Sequence, residues 1–201
     1  MKESIIQFGP IRSASTLVYN LLSNTVDLPV HKHHHLTEVD PKAFYIVTIR
    51  HPYNSIVSSI LRYSEASITD EALEEHITEY LNHGGSVISK DNFPPRDSEL
   101  LFYENFVGNF ELIYQAIEKA SGSSISSDKQ KELNKQFSIK RVKEACEQLK
   151  ETGPEAQHWH TWSVSKTLGE TDYKNFLDSG QINKLKENKQ LSQIINRYYQ
   201  K

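Results

Sequence analysis

The run Ala43-Phe44-Tyr45-Ile46-Val47-Thr48-Ile49 constrains the fold of this 201-residue chain more than any other segment. Every residue in it is apolar, aromatic or β-branched, and no polar alternation interrupts it. A strand with one wet face alternates, whereas an unbroken apolar strand is covered on both faces, as in parallel sheets flanked by helices. Arg50-His51-Pro52 ends the run. Pro52 suits the first turn of a helix, where its missing N–H is not needed. Ile56, Val57, Ile60 and Leu61 follow at spacings of three and four, which predicts an amphipathic helix.

The same alternation recurs along the chain. Ser4–Phe8 reads as a short buried strand stopped by Gly9-Pro10. Leu17, Leu21 and Leu22 have helical spacing, and the hydroxyls of Ser13, Ser15 and Thr16 suit the start of that helix. Val30–Leu36 reads as a short strand or a loop. Asp70–Leu81 is a predicted helix capped by Thr69 or Asp70, and His83–Asp97, with Gly84-Gly85 and Pro94-Pro95, is a predicted loop. Glu99–Tyr103 is a third convincing strand, and Phe110–Ala120 a helix. Ser121–Ser127 is a flexible link, and Asp128–Lys150 and Ser179–Tyr199 are mostly helical. Strands alternating with helices indicate an α/β fold with a mostly parallel central sheet. The length suits one domain over residues 1–201, with room for a five-stranded core.

Composition excludes several classes. Lys and Arg number 23 against 26 Asp and Glu, a net charge of −3. That balance is wrong for a strongly basic nucleic-acid binder, although it allows a local anion pocket. No window of about 18 apolar residues exists, so no membrane span is expected. The N-terminus lacks the length and cleavage site of a signal peptide, so the expected compartment is cytoplasmic. The single cysteine, Cys146, forms no intrachain disulfide and no cysteine-based zinc site. Its helical, charged surroundings suit a buried small apolar residue, with a reactive thiol as the alternative.

Five segments carry chemistry. Gly9-Pro10-Ile11-Arg12-Ser13-Ala14-Ser15-Thr16 lies between a strand and a helix. Unpaired N–H groups, the helix dipole, hydroxyls and Arg12 together make a phosphate cradle, or else an ordinary helix cap. It has no second Gly and no Lys, so it is not a Walker A box. Arg50 stands at the end of the best strand, where open α/β sheets bind ligands, and Ser58 is on the following helix. The pair suits a second phosphate; alternatively Arg50 pairs with a local carboxylate and Ser58 faces solvent. In His31-Lys32-His33-His34-His35, strand geometry sends neighbours to opposite faces, so at most two histidines converge. A base beside a Lys fits this better than a metal site. Leu101–Phe106 and Lys166–Leu177 are a strand end with Tyr103-Glu104 and a loop before the last helices.

Taken in order, these segments resemble the sulfotransferases that use 3′-phosphoadenosine 5′-phosphosulfate (PAPS) and release PAP. Arg12-Ser13-Ala14-Ser15-Thr16 is similar to their 5′-phosphosulfate loop, with Ala14 where Gly is common. Arg50-His51-Pro52 with Ser58 resembles their 3′-phosphate motif, at the right spacing. Phe102-Tyr103-Glu104-Asn105 resembles the segment whose Tyr lies near the adenosine, and Lys32-His33-His34 the segment carrying the catalytic base. Lys166 through Asp172-Tyr173-Lys174 resembles the loop that closes on the cofactor, with Tyr173 in place of Trp. The resemblance implies a three-layer, P-loop-like α/β domain. It implies in-line sulfuryl transfer to a hydroxyl or amine of a small-molecule or glycan acceptor, with neither nucleic acid nor membrane as partner. Arg12, Ser13, Ala14, Ser15, Thr16, Arg50, Ser58, Tyr103 and Lys166 would hold the cofactor. His34 would take the acceptor proton, with His33 and His35 as competing positions, and Lys32 and Arg12 would stabilise developing charge. No metal is required. The other readings are a P-loop small-molecule kinase and a non-catalytic nucleotide- or metal-binding protein. Tyr63, Tyr80 and Phe93 are expected either in an acceptor pocket wall or in the core.

Overall fold

A computed structural model describes residues 2–63, 67–148 and 172–200. Among them, a four-stranded, wholly parallel sheet forms the centre, in the order β2-β1-β3-β4. The strands are β1 (Ser4–Phe8), β2 (Val30–His33), β3 (Ala43–Ile49) and β4 (Ser98–Phe102). The helices are α1 (Ser15–Ser23), α2 (Pro52–Tyr63), α3 (Asp70–Tyr80), α4 (Ser86–Ile88), α5 (Tyr103–Phe106), α6 (Glu111–Ser121), α7 (Ser127–Gln136), α8 (Ile139–Gln148), α9 (Ser179–Glu187) and α10 (Lys189–Tyr198). The length left room for a fifth strand; four are present among the described residues.

The central position of β3, with β1 on one side and β4 on the other, explains its unbroken apolar sequence. Its residues divide between two cores by the period of two. Tyr45, Val47 and Ile49 join Ile6 and Phe8 against α2, α3, α9 and α10. Ile46 joins Ile5 and Leu101 against α1, α6 and α7. Helix, sheet and helix thus stack as three layers. Tyr80 is fully buried and Phe93 packs on Phe8 with ring centres 5.5 Å apart, so both belong to the core. The Tyr63 and Cys146 side chains and the whole of Lys166 lie outside the described residues.

Most expected elements are present, with local differences. Tyr103 ends no strand; it opens α5. The expected loop after α3 contains a wide turn over Leu81–Gly85 and the short α4. The cap of α3 is Thr69, whose hydroxyl accepts from the Ala72 N–H. Helix α1 departs from expectation, because Ala14 occupies its cap and no side chain caps it. The Ser13 hydroxyl is engaged elsewhere, as described below. No helix among the described residues is long and apolar enough to cross a membrane.

Candidate functional site

All four strands run the same way, so the segments that leave them emerge at one edge of the sheet. Gly9–Thr16, His34-His35, Arg50 and Tyr103 all follow a strand at that edge.

The Gly9–Thr16 loop is held from below by a directed chain of hydrogen bonds. The Ser13 hydroxyl donates to the Pro10 carbonyl at 2.7 Å. Its one proton is then spent, so Thr48 Oγ1 donates to Ser13 Oγ at 2.8 Å. Gln7 Nε2 in turn donates to Thr48 Oγ1 at 3.1 Å. All three side chains are fully buried. Gly9 is required by this packing, since a Cβ there would lie 2.2 Å from Thr48 Oγ1. Arg12 and Ala14 both take left-handed backbone, at φ 63° and 61°. Such alternation turns successive N–H groups into a concave anion nest at the start of a helix.

Arg50, at the end of β3, is 4% exposed. Its Nη1 donates to the Arg12 carbonyl at 3.3 Å, and its guanidinium lies 4.2 Å from the centre of the Tyr103 ring. Its Nε has no hydrogen-bond partner among the described residues. Burial lowers the Arg50 pKa from its ordinary value. Among the described residues no carboxylate pairs directly with Arg50; the ring face of Tyr103 lies against it instead. Ser58 is buried in α2, not solvent-facing, and Arg12 Nε donates to its hydroxyl at 3.4 Å. The two arginine loops, 38 residues apart in sequence, therefore meet.

On the other side of β1, Lys32 Nζ donates to Thr16 Oγ1 at 2.7 Å, and burial lowers the Lys32 pKa. His34 Nδ1 is 2.7 Å from the Gly9 carbonyl. A carbonyl only accepts, so Nδ1 carries the hydrogen and Nε2 keeps its lone pair. Burial, aided by Lys32, His83 and His35, pushes the His34 pKa down to about 4. An unperturbed histidine titrates at about 6.5. His31, His33 and His35 are exposed, whereas His34 is half-buried. Among the described residues, no three histidine, cysteine or acidic side chains are grouped to hold a metal ion.

Several neighbours went unnoticed in the sequence. Glu104 accepts from the His51 N–H at 2.9 Å and from the Tyr199 hydroxyl at 3.3 Å, tying the end of β3 to α5 and to the end of α10. Tyr173 stacks on His51 with centres 5.5 Å apart and planes 8° apart, and its N–H donates to Asn54 Oδ1 at 3.0 Å. Burial pushes the His51 pKa down to about 4. His83 and Gly84, just past α3, close over Pro10 and His34. Glycine pairs such as Gly84-Gly85 signal a close backbone approach, but not which backbone is approached. A separate groove of about 400 Å³ between β4 and α6, lined by Glu99, Leu101, Leu112 and Lys119 among others, shares none of the expected site residues.

This arrangement offers an anion nest, two arginines, a lysine and a neutral histidine within one edge of a parallel sheet. No family model and no curated protein matches the chain. Among solved structures, the fold is similar to a mouse sulfotransferase, SULT7A1, complexed with PAP. The TM-score is 0.59 at 12% identity, over 98% of this chain and 89% of that one. It is equally similar to retinol dehydratase in complex with androsterone and the inactive cofactor PAP, with TM-score 0.59 at 11% identity over 98% and 81%. The chain has the P-loop-like α/β fold of these proteins.

Proposed function

We propose that the protein is a sulfotransferase that binds PAPS along the sheet edge and transfers its sulfuryl group to a hydroxyl or amine of a small-molecule or glycan acceptor. The observation that carries this reading is the meeting of the two arginine loops: Arg50 donates to the Arg12 carbonyl, and Arg12 to Ser58. Two anion-binding points that close together suit one ligand with a phosphate at each end. The residues fit such a ligand. Arg50 Nε is buried without a partner among the described residues, an expensive state that a phosphate oxygen would relieve. The left-handed backbone at Arg12 and Ala14 suits an anion in the same way. The likeness in fold to proteins complexed with PAP supports the choice of nucleotide.

Bound PAPS supplies the activated sulfuryl group and, in PAP, the leaving group. The chain does the rest. Arg12 and the N–H groups of Ser13, Ala14, Ser15 and Thr16 hold the 5′ end. Arg50 and Ser58 hold the 3′-phosphate, with Lys166 as a further contact by resemblance, and Tyr103 lies beside the adenosine. Lys32, already fixed on Thr16, offsets charge that develops on the leaving oxygen. His34 presents Nε2 to the acceptor, because Nδ1–H is committed to Gly9. Its low pKa keeps Nε2 unprotonated at neutral pH, and an adjacent anion raises its affinity for the acceptor proton.

Saturating PAP is expected to raise the melting temperature, by about 2.7 kcal/mol of stabilisation at a hundred times Kd. An unmoved melting temperature overturns the cofactor assignment. His34→Ala is expected to lower sulfuryl transfer at least about 10²-fold while PAP still binds; full activity in that variant discards His34 as the base. Magnesium-dependent ATP consumption in place of transfer would favour a kinase.

A further inference from the structure

We infer that the acceptor carries an anionic group, a carboxylate or sulfate ester, seated by the His35–His83 pair beside His34. The inference rests on the sulfotransferase reading and concerns the side of the site that the nucleotide leaves open.

Three observations converge. The His35 and His83 rings lie 5.0 Å apart, brought together from the end of β2 and the turn after α3. The Gly84 backbone that carries His83 packs on the His34 carbonyl and on Pro10, so the pair borders the base and not a distant surface. Among the described residues, the ionisable groups that act on His34 are Lys32, His83 and His35, with no carboxylate among them. The acid nearest to His83 in sequence, Glu79, gives it its backbone carbonyl, not its side chain. The Glu79 carboxylate is turned to His76 Nδ1 at 2.8 Å and to the Ser59 hydroxyl at 3.3 Å.

The polarity of His83 follows from its contact. Its Nδ1 donates to the Glu79 carbonyl at 2.9 Å, so Nε2 receives any further proton and then presents an N–H. An anion arriving between the rings is held there by charge-assisted hydrogen bonds. A neutral acceptor forms only ordinary hydrogen bonds with two imidazoles, whereas an anionic one forms the stronger charge-assisted kind. Ile11 and Leu36, in the same two loops, pack partly buried against the core.

The test uses the full chain saturated with PAP and two probes, methyl β-glucuronide and methyl β-glucoside, which differ only in a carboxylate. Binding is followed by calorimetry and by the NMR signals of the histidine rings. The glucuronide is expected to bind on the order of tenfold more tightly and to move the ring signals of His35 and His83. The His35→Gln, His83→Gln double variant is expected to lose that preference while PAP still raises its melting temperature, which shows that it is folded. Equal affinity for the two probes, unmoved ring signals, or a preference that survives in the double variant overturns the inference. If PAP fails to stabilise the unaltered protein, the sulfotransferase reading falls; the probe comparison, repeated without PAP, still decides the anion seat.

Discussion

Gly9 and Ala14 show how a few atoms shape the loop that the site depends on. A methyl group at position 9 would stand 2.2 Å from Thr48 Oγ1 and 2.7 Å from the Thr48 carbonyl, so Gly9→Ala must displace the loop or β3. The expected loss, read by urea unfolding, is about 2–3 kcal/mol. Ala14 is opposite in kind. Its φ of 61° costs an L-residue roughly 1–2 kcal/mol, which a glycine would not pay. Ala14→Gly is therefore expected to leave stability unchanged or to raise it by up to about 1 kcal/mol, after the greater freedom of the unfolded chain is subtracted. Ala14→Val, with a branched Cβ in the same conformation, is expected to lower it by more than about 1 kcal/mol. The histidines set the acid limb. His34 and His51 have folded pKa values of about 4 against an ordinary 6.5. Between those values the unfolded chain binds protons that the folded chain refuses. Stability is therefore full above pH 6.5 and falls as pH drops towards 4. Melting curves of His34→Gln and His51→Gln should show a flatter slope in that window, and an unchanged slope would contradict the assignment.

At the scale of elements, β3 does two jobs. Its hydrophobic residues feed both cores, and its last polar residue, Thr48, links β1 to the loop through Gln7 and Ser13. Thr48→Val keeps the shape but leaves the Ser13 oxygen without its donor and the Gln7 amide without its acceptor. The expected loss is about 1–3 kcal/mol, with weaker PAP binding because the nest loses its support. Helix α2 follows the same logic. Pro52 starts it, Ile56, Val57 and Ile60 pack it, and the buried Ser58 and Ser59 meet Arg12 and the His76–Glu79 pair. Helix α9 begins with a capping box between Asp178 and Gln181, and Gln181 Nε2 also donates to the Ile68 carbonyl at 2.8 Å. The last helices are thereby fastened near the start of α3, and the chain end is directed back to Glu104 through Tyr199.

At the scale of the molecule, the site exists only because β1 and β3 are neighbours. Parallel pairing sets Phe8 beside Val47, so the loops after the two strands leave together. A ligand that spans both loops should couple them. PAP is expected to raise the melting temperature more than adenosine 5′-phosphate does, since on the proposed reading only PAP carries a phosphate for Arg50 and Ser58. Arg50→Gln should erase the difference while leaving the response to adenosine 5′-phosphate in place. A variant that keeps the full difference would detach Arg50 from the 3′-phosphate.

The pattern of residues was enough to define the parallel α/β fold, since covered strands and amphipathic helices announce themselves through local periodicity. The loop after β1, the Arg50–Ser58 spacing and the His tract were also legible, because each is contiguous or nearly so. What the chain order could not specify was which distant groups meet. That His34 meets the Gly9 carbonyl, that burial lowers its pKa, and that a turn from after α3 brings His83 to His35 are all decided in space. Likewise, Arg50 finds the ring of Tyr103 instead of a carboxylate, and Tyr173 finds His51. Hydrogen bonds and desolvation act over a few ångströms in space, and only the tertiary structure decides which side chains come that close.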